Sequence, residues 1–139
     1  MVGCMDTGLQ RWHDVVAAKD LTLLHGLLEP DAVFYSPVLH RPAQGRDLVT
    51  MYLAGAMQVL GVGTDFRYVR EVASGDTAVL EFETVVDGLT VNGVDIIRFN
   101  EADRITEFKV MLRPMSAVQA VQRRMAALLA VSTVDPTGS

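Results

Sequence analysis

The sequence predicts an α+β fold: a curved antiparallel sheet wrapped around N-terminal helices, with an extra helix at the C-terminus. Three observations carry this. Two helical patterns open the chain, four strand-like segments follow one another at hairpin spacing in its second half, and a helical pattern closes it. Hairpin-length connections imply antiparallel pairing, and helices gathered on one side of such a sheet give the α+β class.

Leu9, Trp12, His13 and Val16 recur at helical spacing and predict a helix over 8–19. Asp20 is a suitable N-cap for a second helix over 21–28, striped by Leu21, Leu24 and Leu28. Glu29-Pro30-Asp31 ends it, because the residue before proline is driven out of the helical region. Ala32–Ser36 reads as a short strand bounded by Pro37, and 38–45 as a loop. A third helix runs over 46–60, with Leu48, Met51, Tyr52, Gly55 and Val59 near one face, and Gly61 and Gly63 stop it. Strands follow at 65–73, 77–86, 89–99 and 104–112, separated by turns at 74–76, 87–88 and 100–103. Ala78, Leu80, Phe82, Thr84 and Val86 share one face of the second of these, and Asn92-Gly93 marks a place for a bulge in the third. Pro114 ends the last strand, and a helix over 115–131 carries Met115, Val118, Gln122, Met125 and Leu129 on one stripe.

With 139 residues the chain is expected to form a single domain over 1–131, with a flexible tail at 132–139. Half of the residues are hydrophobic, enough for a core without staples. One cysteine, Cys4, makes neither an internal disulfide nor a zinc cluster. A net charge of −5 opposes nucleic-acid binding through a broad basic face. Apolar runs are too short to span a membrane, and the N-terminus lacks the basic and apolar regions of a secretory signal. A cytoplasmic location is the default expectation. His25 and His40 have no partner spacing, so no metal site is expected, and neither a dinucleotide fingerprint nor a nucleophile elbow is present.

Three runs carry a resemblance: Pro30-Asp31-Ala32-Val33-Phe34-Tyr35-Ser36-Pro37, then Gln44-Gly45-Arg46-Asp47-Leu48, then Gly93-Val94-Asp95-Ile96-Ile97-Arg98-Phe99-Asn100, which continues into Arg104-Ile105-Thr106-Glu107-Phe108. Over roughly residues 8–113 the chain resembles the nuclear transport factor two-like superfamily. Within it, the chain resembles SnoaL-like domains and bacterial ketosteroid isomerases. The resemblance implies a cone-shaped α+β barrel whose concave face encloses a pocket. The isomerases use a carboxylate base, a tyrosine hydroxyl and a protonated aspartic acid, the last two holding an enolate oxygen. Asp95 matches the aspartic acid, whereas Ser36 stands at the base position and Trp12 at the tyrosine position. A serine alone is far too weak a base, so steroid isomerisation built as in those enzymes is not the leading reading.

Strand alternation puts Asp95 on the same face as Ile97 and Phe99, with Arg98 opposite. In a dry pocket its carboxyl is expected to titrate high and to donate a proton or hydrogen bond; bonding to the protein alone is the competing account. His13 shares the helical stripe of Trp12 and is the candidate replacement base. Candidate ligand-binding residues are Trp12, Phe34, Ser36, Tyr52 and Phe82, with Ile97, Phe99, Phe108 and Leu112. The leading expectation is a protein that binds a compact apolar molecule in the cone without a cofactor. If it is an enzyme, the resemblance implies proton transfer in isomerisation, cyclisation or dehydration of a polyketide-, terpenoid- or steroid-like substrate. A non-catalytic binding or assembly domain is the main rival, and epoxide hydrolysis ranks third. The outer strand faces carry Arg98, Glu81, Glu83, Glu107 and Lys109 among Val79 and Met111, a mixed surface suited to a homodimer.

Overall fold

The computed structural model describes residues 7–62 and 64–132; Cys4, Gly63 and tail positions 133–139 lie outside the described residues. The chain runs through α1 (Gly8–Ala18), α2 (Leu21–Leu27), β1 (Leu28–Tyr35), β2 (Ala43–Gln44), α3 (Arg46–Val59), β3 (Arg67–Ser74), β4 (Thr77–Val86), β5 (Leu89–Phe99), β6 (Ile105–Arg113) and α4 (Met115–Ser132). Thr7 caps α1 by accepting the Gln10 N–H at 3.1 Å, and Lys19 closes the helix in the left-handed region at φ 52°. Asp20 caps α2 as expected, accepting the N–H groups of Thr22 and Leu23 at 2.9 and 3.2 Å. Each carboxylate or hydroxyl oxygen satisfies amides that have no partner inside the helix.

The strands form one sheet in the order β2-β1-β6-β5-β4-β3. The long meander β3 to β6 is antiparallel, but β1 lies parallel to β6, so the sheet is mixed rather than purely antiparallel. Half of the chain separates β1 from β6, and hairpin spacing carries no information about such a pair. The sheet is curved but open, ending at β2 and β3, so the expected barrel is an unclosed cone. Register shifts fall in β1 between Leu28 and Val33, in β3 between Tyr68 and Arg70, and in β5 between Arg98 and Phe99. Pro30 lies inside β1 but within its irregular stretch, where no ladder N–H is required. No bulge occurs at Asn92-Gly93, which pair in register with Glu83 and Phe82.

The alternation expected for β4 holds, with Ala78, Leu80, Phe82, Thr84 and Val86 all buried. The helical faces are turned from the expected ones. In α3, Val49, Leu53 and Met57 face the core, while Leu48 is 40% exposed. This helix is apolar on two sides, one against the sheet and one against α4, where Gly55 closes on Leu128 and Met125. Periodicity alone does not separate two such stripes. In α4, Ala117, Ala120, Val121 and Met125 are buried, whereas Met115 is 76% exposed. Arg124 pins α4 to the β4–β5 turn through Asp87 at 2.6 Å. Among the described residues no helix is long and apolar enough to cross a membrane.

Candidate ligand site

Asp95 sits at the centre of β5, between Leu80 of β4 and Val110 of β6, and strand alternation turns it into the cone. It is 5% exposed. The bulge in β3 sets its partner. Tyr68 stands opposite Phe82, and Glu71, three residues on, stands opposite Leu80. Strict alternation would send these two to opposite faces; the extra residue returns both to the concave side. The Tyr68 hydroxyl donates to Asp95 Oδ2 at 2.6 Å, and the Trp12 indole N–H donates to the Tyr68 oxygen at 3.0 Å. A hydrogen-bond chain thus runs from α1 through β3 to β5. The phenol ring is held edge-on to Phe66 at 5.0 Å and to Phe82 at 6.3 Å.

Burial raises the Asp95 carboxyl to about 7, although the Tyr68 hydrogen bond opposes the shift. Burial also pushes the Tyr68 phenol well above its ordinary value, and the neighbouring Asp95 charge adds to it. The site therefore holds a carboxyl that exchanges its proton near neutrality and a phenol that keeps its own.

Two small spaces remain in the cone. One, of about 30 Å³, is walled by Trp12, Leu53, Met57, Tyr68, Phe108 and Asp95, among others, and among the described residues Asp95 is the sole charged one on it. The other, of about 20 Å³, is walled by Phe34, Ser36, Leu112, Val121 and Met125, with Ala56, Leu60 and Val110 between the two. Each is about the size of one water. The container read from the sequence is thus nearly filled by its own side chains.

Of the residues singled out from sequence, Trp12, Asp95 and Phe108 come together at the first space, with Trp12 edge-on to Phe108 at 4.9 Å. Phe34, Ser36 and Leu112 meet at the second. The Ser36 hydroxyl oxygen accepts the Val38 N–H at 3.2 Å, so it serves the turn at Pro37. Tyr52 stacks on Phe34 at 6.3 Å. Phe82 lies beneath Phe66 at 4.8 Å, and Ile97 is fully buried. Phe99 is at the strand end, packed so closely on Gly8 that no side chain fits there. His13 is at the rim, its Nε2 2.7 Å from Glu71 and its ring edge-on to Tyr68 at 5.8 Å. His25 pairs with Asp47 at 2.7 Å on the surface, and among the described residues no group of His, Cys, Asp and Glu is arranged to hold a metal.

Sequence reasoning missed Tyr68. The only signal for it is an aromatic in a charged strand, and the bulge that aims it inward leaves no mark in the hydrophobic pattern. Tyr68→Phe is expected to move the Asp95 carboxyl further up from about 7, because the lost hydrogen bond is the influence that lowers it. The Trp12 N–H then loses its acceptor, which costs about 1 kcal/mol. Carbonyl-carbon NMR titration of labelled aspartate reads the shift; a downward movement contradicts the assignment.

The open cone, the helices in its concavity and the buried carboxyl on its central strand define a nuclear transport factor two-like α+β domain. Residues 9–108 match the SnoaL-like domain, and the chain belongs to that family. It is similar to a steroid delta-isomerase from Pseudomonas aeruginosa, at 42% identity over 90% of each chain with a TM-score of 0.84. It is also similar to an uncharacterised protein with a cystatin-like fold from Silicibacter pomeroyi, at 36% identity, covering 91% of this chain and 87% of that one, with a TM-score of 0.82. A putative polyketide cyclase from Sinorhizobium meliloti shares the fold at 16% identity and a TM-score of 0.60, over 75% of this chain and 93% of that one. A search of curated proteins finds no significant match.

Proposed function

We propose that this chain binds a compact apolar ketone of the steroid, terpenoid or polyketide kind inside the cone, with Asp95 donating a hydrogen bond to its oxygen. The observation that carries this reading is the single buried carboxyl on an otherwise uncharged wall, held by Tyr68 at 2.6 Å. Apolar sites with one or two placed polar groups fix a ligand's orientation while leaving its body in hydrocarbon. Trp12 then acts as wall and as the donor that orients Tyr68, since its one N–H is already given.

A second reading adds proton transfer. It is supported by the 42% identity to a protein described as a steroid delta-isomerase. The His13 imidazole, aligned by Glu71, or a water beside it takes a proton from the carbon next to the carbonyl and returns it two carbons further on. Asp95 holds the oxygen on which the negative charge gathers. Titration with 2-naphthol, followed by quenching of Trp12, the chain's single tryptophan, tests binding. Saturable quenching is expected; its absence overturns the pocket. Conversion of a β,γ-unsaturated ketosteroid into its conjugated isomer, followed by ultraviolet absorbance, tests catalysis. Quenching without conversion leaves a binding protein.

The outer sheet face supports a second proposal, that two copies pair there. Val69, Val72, Val85 and Met111 are 44–58% exposed beside the Arg67–Glu83 and Arg70–Glu81 ion pairs. Sedimentation at micromolar concentration is expected to give a dimer, and a monomer overturns it.

A further inference from the structure

Met57 and Val62 each line two spaces at once. On their inner side is the cavity of about 30 Å³ that contains Asp95. On their outer side is an open groove of about 640 Å³ between α3, α4 and the α1–α2 junction, walled by Thr50, Gln58, Leu128 and Leu129 among others. Met57 and Val62 are therefore common to the groove and to the space that holds the buried carboxyl.

A ring ketone cannot enter 30 Å³ unless part of the wall moves. Most of the wall is fixed. Trp12, Tyr68 and Asp95 hold one another through hydrogen bonds, and Phe108 is wedged between Trp12 at 4.9 Å and Phe34 at 6.1 Å. Met57 differs. It is unbranched, has three rotatable bonds, and is 9% exposed at the groove floor. Val62 follows Gly61, whose φ of +70° lies in the left-handed region, in the turn that leaves α3. We infer that Met57 and Val62 form the gate of the cone, and that the groove is the vestibule through which an apolar ligand reaches Asp95. This rests on the proposed binding function. Among the described residues the groove wall carries one ammonium, Lys19, and no carboxylate, so the vestibule admits neutral and anionic apolar molecules in preference to cations.

Stopped-flow quenching of Trp12 by 2-naphthol tests the gate. Met57→Ala is expected to raise the association and dissociation rates about tenfold each while changing Kd less than threefold. Gln58→Phe adds bulk at an exposed groove position without touching the inner cavity and is expected to slow both rates several-fold at an unchanged Kd. Because Gln58 is exposed, that variant keeps the test informative even if Met57→Ala folds poorly. Saturable quenching with rates that neither variant alters overturns the gate and leaves the pocket standing. No quenching in the wild-type chain or in either variant overturns the pocket, and the gate with it.

Discussion

At pH 9 the Asp95→Asn variant is expected to melt roughly 10 °C above the wild-type protein, and at pH 4 to melt close to it. The unfolded carboxyl titrates near 3.8 and the folded one near 7. Between those values the folded chain holds one more proton than the unfolded chain. The stability this group contributes is full below pH 3.8 and is lost as the pH rises through 7. The difference corresponds to about 4 kcal/mol at 1.36 kcal/mol per pH unit. An amide keeps the acceptor for Tyr68 and has no charge to bury, so its stability stays level over the same range. Thermal melts of both proteins from pH 4 to 9 read the effect, and parallel curves contradict a buried carboxyl. The same group gives the ligand reading its sharpest test. If the protonated acid holds the ketone oxygen, wild-type affinity for an apolar ketone such as 2-acetylnaphthalene falls tenfold per pH unit above about 7. Asp95→Asn binds at least tenfold more weakly at pH 6 and shows no such slope.

That carboxyl was legible in the sequence because its neighbours state its environment: an acid in a run of β-branched residues, two positions from Ile97, faces the core if the strand forms at all. The meander over 77–112 was legible for the same reason, since a period of two and short polar turns fix both strand and pairing. Contacts made across the chain were not. The β1–β6 pair and the two-residue β2 have no local signature. Tyr68 reaches Asp95 because of an irregularity between Tyr68 and Arg70, and a one-residue slip reverses every inference about which side a residue faces. The helical stripes of α3 and α4 were misplaced because both helices bury residues on more than one side. The family resemblance places Ser36 and Trp12 by position, and position says nothing of bonding. Only the geometry shows Ser36 accepting the Val38 amide and Trp12 donating to Tyr68.

Gly93→Ala is expected to be among the most damaging single-methyl additions to this chain, and to reach the site from two positions along the same strand. A Cβ there would stand 2.6 Å from the Phe82 ring, 2.7 Å from a Leu112 methyl and 2.7 Å from the Met111 carbonyl oxygen. The backbone oxygen belongs to the β5–β6 ladder and cannot yield, so the ring and the leucine must. Overpacking a core in this way costs about 3 kcal/mol, the upper part of its usual range. Glycine is needed here because Phe82, directly across the ladder, lays its ring over β5 where a side chain would otherwise stand. Phe82 in turn supports Phe66 at 4.8 Å and Tyr68 at 6.3 Å, and Tyr68 holds Asp95. Displacing the ring therefore loosens the phenol and lengthens its bond to the carboxyl. Denaturant unfolding should show the lost stability. In the same variant the Asp95 titration should move upward, as in Tyr68→Phe, because the same hydrogen bond is weakened. An equal loss of stability with the Asp95 titration unmoved would mean that Phe82 packs the core without positioning the site.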